Sequence, residues 1–503
     1  MKTNGIIQLY PMLRLAIFLI IGIILGREYT NIITTFVWLT AVLSSLMITW
    51  LLSCLRWKMT RKIQIAQLQT SMILLSVVFL GAYNSSSTIS AQPQLPDSLM
   101  EYRAVVVSRP LTHGKVEICN MMIVDGPMTG CEIRGSLYGL KERIGDGIEF
   151  EGRLEPPYYV EGKPQVFVPY WKTRNVKLSL DNLSYWQRTK IVALGLRDRL
   201  IGNVDNQDEA IVAAMTLGDK SMLNKETRDL YASVGCSHIL AISGTHMAVI
   251  YGILLLIFGR RQRWWKELLI LLAIWSFVMI SGGGSSVIRS AMMITIYNIV
   301  NLLQRQKFSL NTIGLAAFVM LLFHPLDLFD ISWQMSFLAV LGIILMNLLM
   351  GEIHTPYCLL NWIIGLTLVS LSAQMMTAPL SIYYFHQFAS YFLLTNFIVI
   401  PIVTVVLYLA VLSLIFSLVW LHQIADYMVH EMNLMLQVIS KWPSANITGL
   451  YLSTLQLISV YVAIFALIAL AFRVKNISIG ISSNPNLITE NPKVRHAKNE
   501  MSF

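Results

Sequence analysis

The sequence predicts a polytopic α-helical membrane protein that carries one small β-barrel domain outside the cytoplasm. Three observations predict it. Of 503 residues, 55% are hydrophobic and only 13% charged, with mean hydropathy +0.60. A soluble domain carries about 25% charged residues, so the chain falls in the membrane class. Apolar runs of about 20 residues, the length a bilayer core demands, recur along the chain with basic loops between them. One polar stretch, 101–180, carries short alternating or β-branched runs instead.

The first spans fall near 11–26, 32–54 and 65–83. The run from Leu13 to Leu25 lacks a small-residue cleavage site and precedes further spans, so it reads as a span, not a signal peptide. Arg56, Lys58, Arg61 and Lys62 mark the loop before the third span as cytoplasmic. The third span then exits outward, and the polar segment that follows lies outside. Arg260, Arg261, Arg263 and Lys266 follow the apolar run 239–258, and Arg305 and Lys307 follow the run 287–303. By count, both groups are again cytoplasmic. Further spans fall near 309–323, 331–350, 360–384 and 452–472. The run 392–421 is too long for one simple span, and Pro401 is expected to divide it into a short interfacial helix and a span. In the tail, Lys493, Arg495 and Lys498 argue for the cytoplasmic side while the span count argues against it. The net charge of +10 is mostly such topology signal and says little by itself about a nucleic-acid partner.

The outside segment predicts five strands, at 102–107, 116–124, 132–138, 147–154 and 165–170, punctuated by Gly, Asp and Pro clusters. Five short strands in so few residues suit an OB-like barrel, a fold that often binds single strands through basic grooves and aromatic stacking. Arg134, Arg143, Lys172 and Arg174 are the candidate DNA contacts there, although acidic residues nearly balance the basic ones. Cys119 and Cys131 flank a turn signal and either close a disulfide in an oxidising compartment or are two buried thiols. Residues 186–201 mix apolar and basic positions and read as an amphipathic helix, on the membrane surface or packed on the β domain. The organisation is therefore 1–83 N-terminal transmembrane helices, 84–185 extracytoplasmic β domain, 186–206 interfacial helix, 207–472 second transmembrane block and 473–503 polar tail.

Polar signals concentrate in the second block. Asn224 reads as a helix N-cap and Gly235 as a helix stop. The segment 237–246, SHILAISGTH, puts His238, Ser243, Gly244 and His246 at the mouth of a span, where polar groups are costly without partners or water. A Gly-rich turn, 281–286, precedes Arg289; Gln334 and Ser336 sit in a third patch and Gln374 in a fourth. Each patch alone is explained by interhelical hydrogen bonding and small-residue packing. Together they indicate a polar pathway, since irregular Gly-rich backbone at membrane depth is tolerated where it lines a cavity.

These same residues resemble the ComEC family of competence proteins. AMTLGDK at 214–220 followed by SHILAISGTH is similar to the family's LLLGD and SHLLAISGLH, with Thr245 where leucine is usual. SVIRSAM around Arg289, HPLDLFDISWQMSFLAVLG at 324–342, the Gln374 segment and Asn396 with Pro401 resemble further family segments in order, over roughly 205–420. The resemblance implies a channel, not an enzyme, that passes single-stranded DNA across the cytoplasmic membrane. It implies that the β domain hands the strand to the mouth at 237–246, with Arg289, Gln334 and Gln374 lining or supporting the path. It also implies a DNA receptor outside, an ATP-driven motor inside, contact with membrane lipid and no cofactor or metal, and it leaves room for a homo-oligomer. Longer family members carry a C-terminal metallo-β-lactamase-like nuclease domain. No His-x-His-x-Asp-His cluster occurs among the nine histidines, so nuclease activity is not carried over. No phosphate-binding loop is present either: 218–221 lacks the preceding glycine. Two other readings stay open. Ser243 and His246, three apart on one helix face, could form an intramembrane serine hydrolase, or broken spans near the midplane could serve a small-molecule transporter.

Overall fold

The computed structural model describes residues 10–54, 62–91, 95–96, 98–113, 116–126, 128–138, 143–156, 164–168, 173–202, 204–259, 263–302, 310–351 and 355–483. Among these, six helices are long and apolar enough to cross a membrane. The chain is a multi-pass membrane protein. It divides into two compact units, Met1–Phe337 with Leu394–Ala445, and Leu338–Leu393 with Asn446–Phe503.

The first unit opens with α1 (Pro11–Glu28), α2 (Thr35–Cys54) and α3 (Lys62–Ser90). Small residues let α1 and α3 touch through their backbones. A Cβ on Gly22 would fall 2.0 Å from the Val78 carbonyl oxygen, and one on Gly26 would fall 2.4 Å from that of Ala82. This is the small-xxx-small contact by which apolar helices associate where hydrophobic burial offers no drive.

The polar segment after α3 forms β1 (Met100–Val106), β2 (Leu111–His113), β3 (Val116–Asp125), β4 (Glu132–Tyr138), β5 (Gly147–Gly152), β6 (Gln165–Val168) and β7 (Thr173–Asn175). Five of these match the strands expected from sequence; β2 and β7, three residues each, carry too little pattern to announce themselves. The strand order is β6-β4-β3-β1-β5-β7, with β2 on β3. All pairings are antiparallel except β4 with β6. The sheet curls far enough that Glu155, just past β5, exchanges two backbone hydrogen bonds with Gln165 of β6, at 2.8 and 3.0 Å. Period-two alternation sends Tyr102, Met121, Ile133, Ile148, Phe150 and Val166 inward to one apolar core. The opposite face of β1 and β3, with Val105, Val107, Met122 and Val124, is covered by Ile191 and Leu194 of α4 (Tyr185–Ile201). Ser184 and Gln187 start α4 with a reciprocal capping box. On the other side of the helix Tyr185, Trp186, Val192 and Leu196 are exposed.

Three short-to-medium helices follow: α5 (Gln207–Leu217), α6 (Lys225–Ser233) and α7 (Gly244–Phe258). The Asn224 side chain accepts from the Thr227 amide at 2.7 Å, as its capping role requires, and Gly235 takes a positive φ of 80° just beyond α6. Next come α8 (Trp264–Ile280), α9 (Ser285–Leu302), α10 (Leu310–Phe323) and a 3-10 turn at Pro325–Phe329, then α11 (Ile331–Met350), which runs on into the second unit. The second unit also holds α12 (Cys358–Phe385), the small pair β8 (Gln387–Ala389) and β9 (Asn446–Thr448), and α15 (Thr454–Ser483). There the Lys475 ammonium donates to the carbonyls of Leu348 and Leu349, at 3.0 and 2.8 Å. The C-terminal end of α15 therefore lies at the same end of that unit as the C-terminal end of α11.

The expectation for 392–421 is corrected. Pro401 does not divide it: α13 (Phe392–Phe416) runs through the proline as one helix. A membrane helix tolerates an internal proline because neighbouring helices, Ser and Thr side chains and small local adjustments re-satisfy the freed backbone carbonyl. A separate helix, α14 (Val419–Ser440), then appears where none was expected. Its sequence contains His422, Asp426, His430 and Glu431, so it does not read as a span. Its buried face, Leu421, Ala425, Val429, Met432, Leu436 and Ile439, recurs at three- and four-residue intervals and packs on α5 and α6.

Candidate functional site

The mouth of α7 is the first component. The helix starts at Gly244, five residues later than the apolar run suggested, and its 15 residues span about 22 Å at 1.5 Å per residue. That is shorter than a bilayer core of about 30 Å, and the non-helical 237–243 segment leads into the helix. Ser243 is the N-cap. Its hydroxyl lies 2.7 Å from His246 Nδ1, and its backbone amide donates to the same nitrogen at 3.2 Å. Because the amide can only donate, Nδ1 is an acceptor, and a neutral ring carries its proton on Nε2. That nitrogen is buried with no hydrogen-bond partner among the described residues. His246 is 1% exposed, whereas His238 lies at the protein surface. A Cβ on Gly244 would lie 3.7 Å from the Ser290 hydroxyl, so the mouth abuts the first turns of α9.

Arg289, on those turns, is 2% exposed. Its guanidinium donates to the Ser332 hydroxyl at 2.5 Å and lies 3.5 Å from the Asp330 carboxylate. Asp330 in turn accepts from the Ser332 amide at 3.0 Å, and the Gln334 side chain donates to the Leu328 carbonyl at 3.0 Å. These contacts tie α9 to the 3-10 turn and to the start of α11. Ser336 follows on α11, half-buried. Three of the four polar patches are thus neighbours in the first unit. Gln374, half-buried on α12, belongs to the second.

A further cluster joins the sheet to the helices, and sequence reasoning missed most of it. Arg109, beyond β1, forms an ion pair with Asp198 of α4 and donates to the Asp198 and Gly202 carbonyls at 3.0 and 2.8 Å. Asp219 lies between two guanidinium groups, 3.8 Å from Arg109 and 3.9 Å from Arg197. Its other oxygen accepts from the Ser221 amide and hydroxyl, at 3.1 and 2.6 Å, which folds the turn after α5. Arg197 also reaches the Ser281 carbonyl at 3.5 Å. Burial pushes the Arg197 guanidinium below its ordinary value, and Asp219 partly restores it. The turn at 281–284 allows this approach because Gly282 has φ +87° and a Cβ there would lie 3.1 Å from the Arg197 guanidinium. One signal was available: Arg197 shares a helix face with Ile191 and Leu194, an unusual place for a cation on a helix whose opposite side could face solvent.

The basic candidates on the sheet do not form one patch. Arg134 is exposed on β4, while Arg174 is exposed on β7 opposite Glu149, with β3, β1 and β5 between them in the strand order. Arg143 is exposed beside the Asp146 carboxylate, which accepts from its amide at 2.8 Å. Lys172 lies outside the described residues. The disulfide alternative for Cys119 and Cys131 is corrected: they are not joined to each other. Cys131 sits across from Ile123, bonded through its carbonyl at 3.0 Å. Cys119 is four residues further along β3, roughly 13 Å away at about 3.3 Å per residue, beyond disulfide reach.

A family model described as "Competence protein" matches residues 215–475. ComE operon protein 3 of Bacillus subtilis (strain 168) is 27% identical over 352 residues, covering 66% of this chain and 44% of that protein. The chain thus spans less than half the length of that relative in the matched region. No solved structure matches. The family match begins within α5 and ends within α15, so it encloses the α7 mouth, Arg289 and the Gln334 turn.

Proposed function

Because the chain belongs to the competence protein family, we propose that it forms the path by which single-stranded DNA crosses the cytoplasmic membrane during DNA uptake. The observation that carries this reading is the convergence of three polar patches in one unit: the non-helical mouth of α7, the start of α9 and the Arg289–Asp330–Ser332 join. Each nucleotide brings one negative charge that must cross a low-dielectric slab. Hydroxyls, a histidine and one arginine already half-neutralised by Asp330 can stand in for part of the strand's hydration without holding it tightly, as conduction requires. The chain acts as a conduit and not as an enzyme. A DNA receptor outside and a motor inside would deliver and pull the strand.

The curled sheet supports the OB-like reading. Its order, with β4 parallel to β6 and the return from β5 to β6 through Glu155, suits a small Greek-key barrel. The sheet would face outward and the tail inward. Arg305 and Lys307 put the loop before α10 inside, so α11 runs inward. Lys475 brings the end of α15 to the same end of its unit as the end of α11. That side agrees with Lys493, Arg495 and Lys498.

The 2.7 Å contact between Ser243 and His246 is the one observation that favours a hydrolase. Against it, Nδ1 is shared with the Ser243 amide in a helix-start arrangement. A base also needs a group to orient its far nitrogen, and none of the described residues bonds Nε2.

The test is uptake of labelled duplex DNA in a naturally transformable host lacking the gene, complemented by wild type, Arg289→Ala and Ser243→Ala. The channel reading expects DNA held outside the membrane in the deletion strain and DNase-resistant cytoplasmic DNA with wild type. Arg289→Ala should fail at normal protein level, and Ser243→Ala should only slow uptake. Normal uptake in the deletion strain would sink the reading. Complete loss with Ser243→Ala, alongside esterase activity in wild-type membranes, would favour the hydrolase.

A further inference from the structure

A cavity of about 440 Å³ lies within the first unit, between the sheet, α4, the turn after α5 and the Gly-rich turn before α9. Its size falls within the range of pockets that hold small polar ligands, about 300–1,000 Å³. Among the described residues, six cationic side chains line it against two carboxylates. Two of the cations, Arg109 and Arg197, are committed to Asp219, and Lys190 is committed to Glu132. Arg134, Lys220 and Arg228 have no carboxylate partner among the described residues, so the cavity holds an excess of positive charge.

The site is built, not a loose surface patch. Arg197 is 6% exposed, and its Nε is buried without a hydrogen-bond partner among the described residues. The Arg228 guanidinium donates to the Lys220 carbonyl at 2.9 Å, which fixes the two cations side by side. Lys220 is reached by solvent yet ringed by protein; burial and then Arg228 push its ammonium below the ordinary value. Such a group gains most from an arriving anion.

We propose that this cavity is the entry vestibule for the strand, where phosphodiester groups of single-stranded nucleic acid are received in passing from the sheet to the membrane helices. The proposal rests on the channel reading above and adds the site of first capture. Its position argues for nucleic acid as the occupant. One wall is the sheet, through Arg134 of β4 and Asn120 of β3; the other is the turn at 281–284, which leads directly into the helix bearing Arg289. Glu132 and Asp219 temper the charge, so a phosphate is attracted without being trapped. Among the described residues the cavity offers cations and no aromatic platform, so these would read the backbone and leave the base unread.

The experiment uses the full chain in lipid nanodiscs with two fluorescent probes, a short oligothymidylate and an abasic oligomer of equal length. Wild type should bind both within a few-fold of each other. Lys220→Gln and Arg134→Gln should each weaken binding about three- to tenfold. Each should also reduce the slope of log affinity against log salt by about 0.7, the value for one lost single-strand phosphate contact. Arg103→Gln, the same charge change on the sheet away from the cavity, should leave both unchanged. In cells, the double variant Arg134→Gln, Lys220→Gln should lower DNase-resistant uptake at least tenfold at wild-type protein level. If wild type carries DNA and the double variant equals it, the vestibule is wrong while the channel reading stands. If the deletion strain itself takes up DNA normally, the channel reading fails and the vestibule with it. If the Lys220→Gln effect vanishes in discs containing phosphatidylglycerol, lipid headgroups own the cavity and the proposal is overturned.

Discussion

The inside of the curled sheet and the junction beneath α4 lie within a few residues of each other along β1, β3 and β4, yet they are opposite in chemistry. Inside, Tyr102, Met121, Ile133, Ile148 and Phe150 are at most 1% exposed, and the Tyr102 and Phe150 rings meet at 5.6 Å. That core has one task, to hold the curled sheet together, and dispersion plus burial accomplish it. The junction instead buries Arg197 and Asp219 at 6% and 4% exposure. Buried ion pairs rarely add net stability, because desolvation cancels much of the attraction. Their presence where the sheet meets the helices argues that this region is kept for what it binds. An apolar joint would have held the two parts together at lower cost.

The contrast can be broken by four changes. The largest effect should come from Ile148→Asp, which places an unpaired carboxylate in the sheet core. A loss of about 5 kcal/mol or more is expected, enough to unfold the domain, and trypsin should cleave 100–175 in right-side-out vesicles. Asp219→Ala leaves Arg197 buried without its acid and should cost about 3 kcal/mol, seen as a lower melting temperature in detergent. Adding Arg197→Leu should recover part of that loss; no recovery would mean that the pair is not coupled. Gly22→Ala forces α1 away from α3 and should cost about 1–3 kcal/mol, measured in the same melting assay. The smallest change is expected from Arg103→Gln. Its links to Glu149 at 2.8 Å and Asp125 at 3.5 Å are exposed, so less than about 1 kcal/mol should be lost. A larger loss there would erase the distinction between surface charge and buried junction.

Much of this molecule was legible residue by residue. The strand cores 102–107, 116–124, 132–138 and 147–154 were visible because each is an alternating or β-branched run punctuated by Gly, Asp or Pro. The Asn224 cap and the spans at 331–350 and 360–384 were visible for equally local reasons. α14 was hidden because its pattern is amphipathic, and only α5 and α6, distant in sequence, supply the surface its apolar face requires. The Cys119–Cys131 pairing failed for a related reason: spacing along the chain does not reveal register across a hairpin.

The sequence by itself determined the membrane class, most of the strands and spans, and the positions of the polar patches. Those follow from composition, period and local caps, which are properties of neighbouring residues. Only the tertiary structure decided that Arg289 meets Asp330 and Ser332, and that Arg109, Arg197 and Asp219 share one buried junction. Each of these contacts joins residues brought together by chain reversal, where desolvation and geometry select partners that no local pattern encodes.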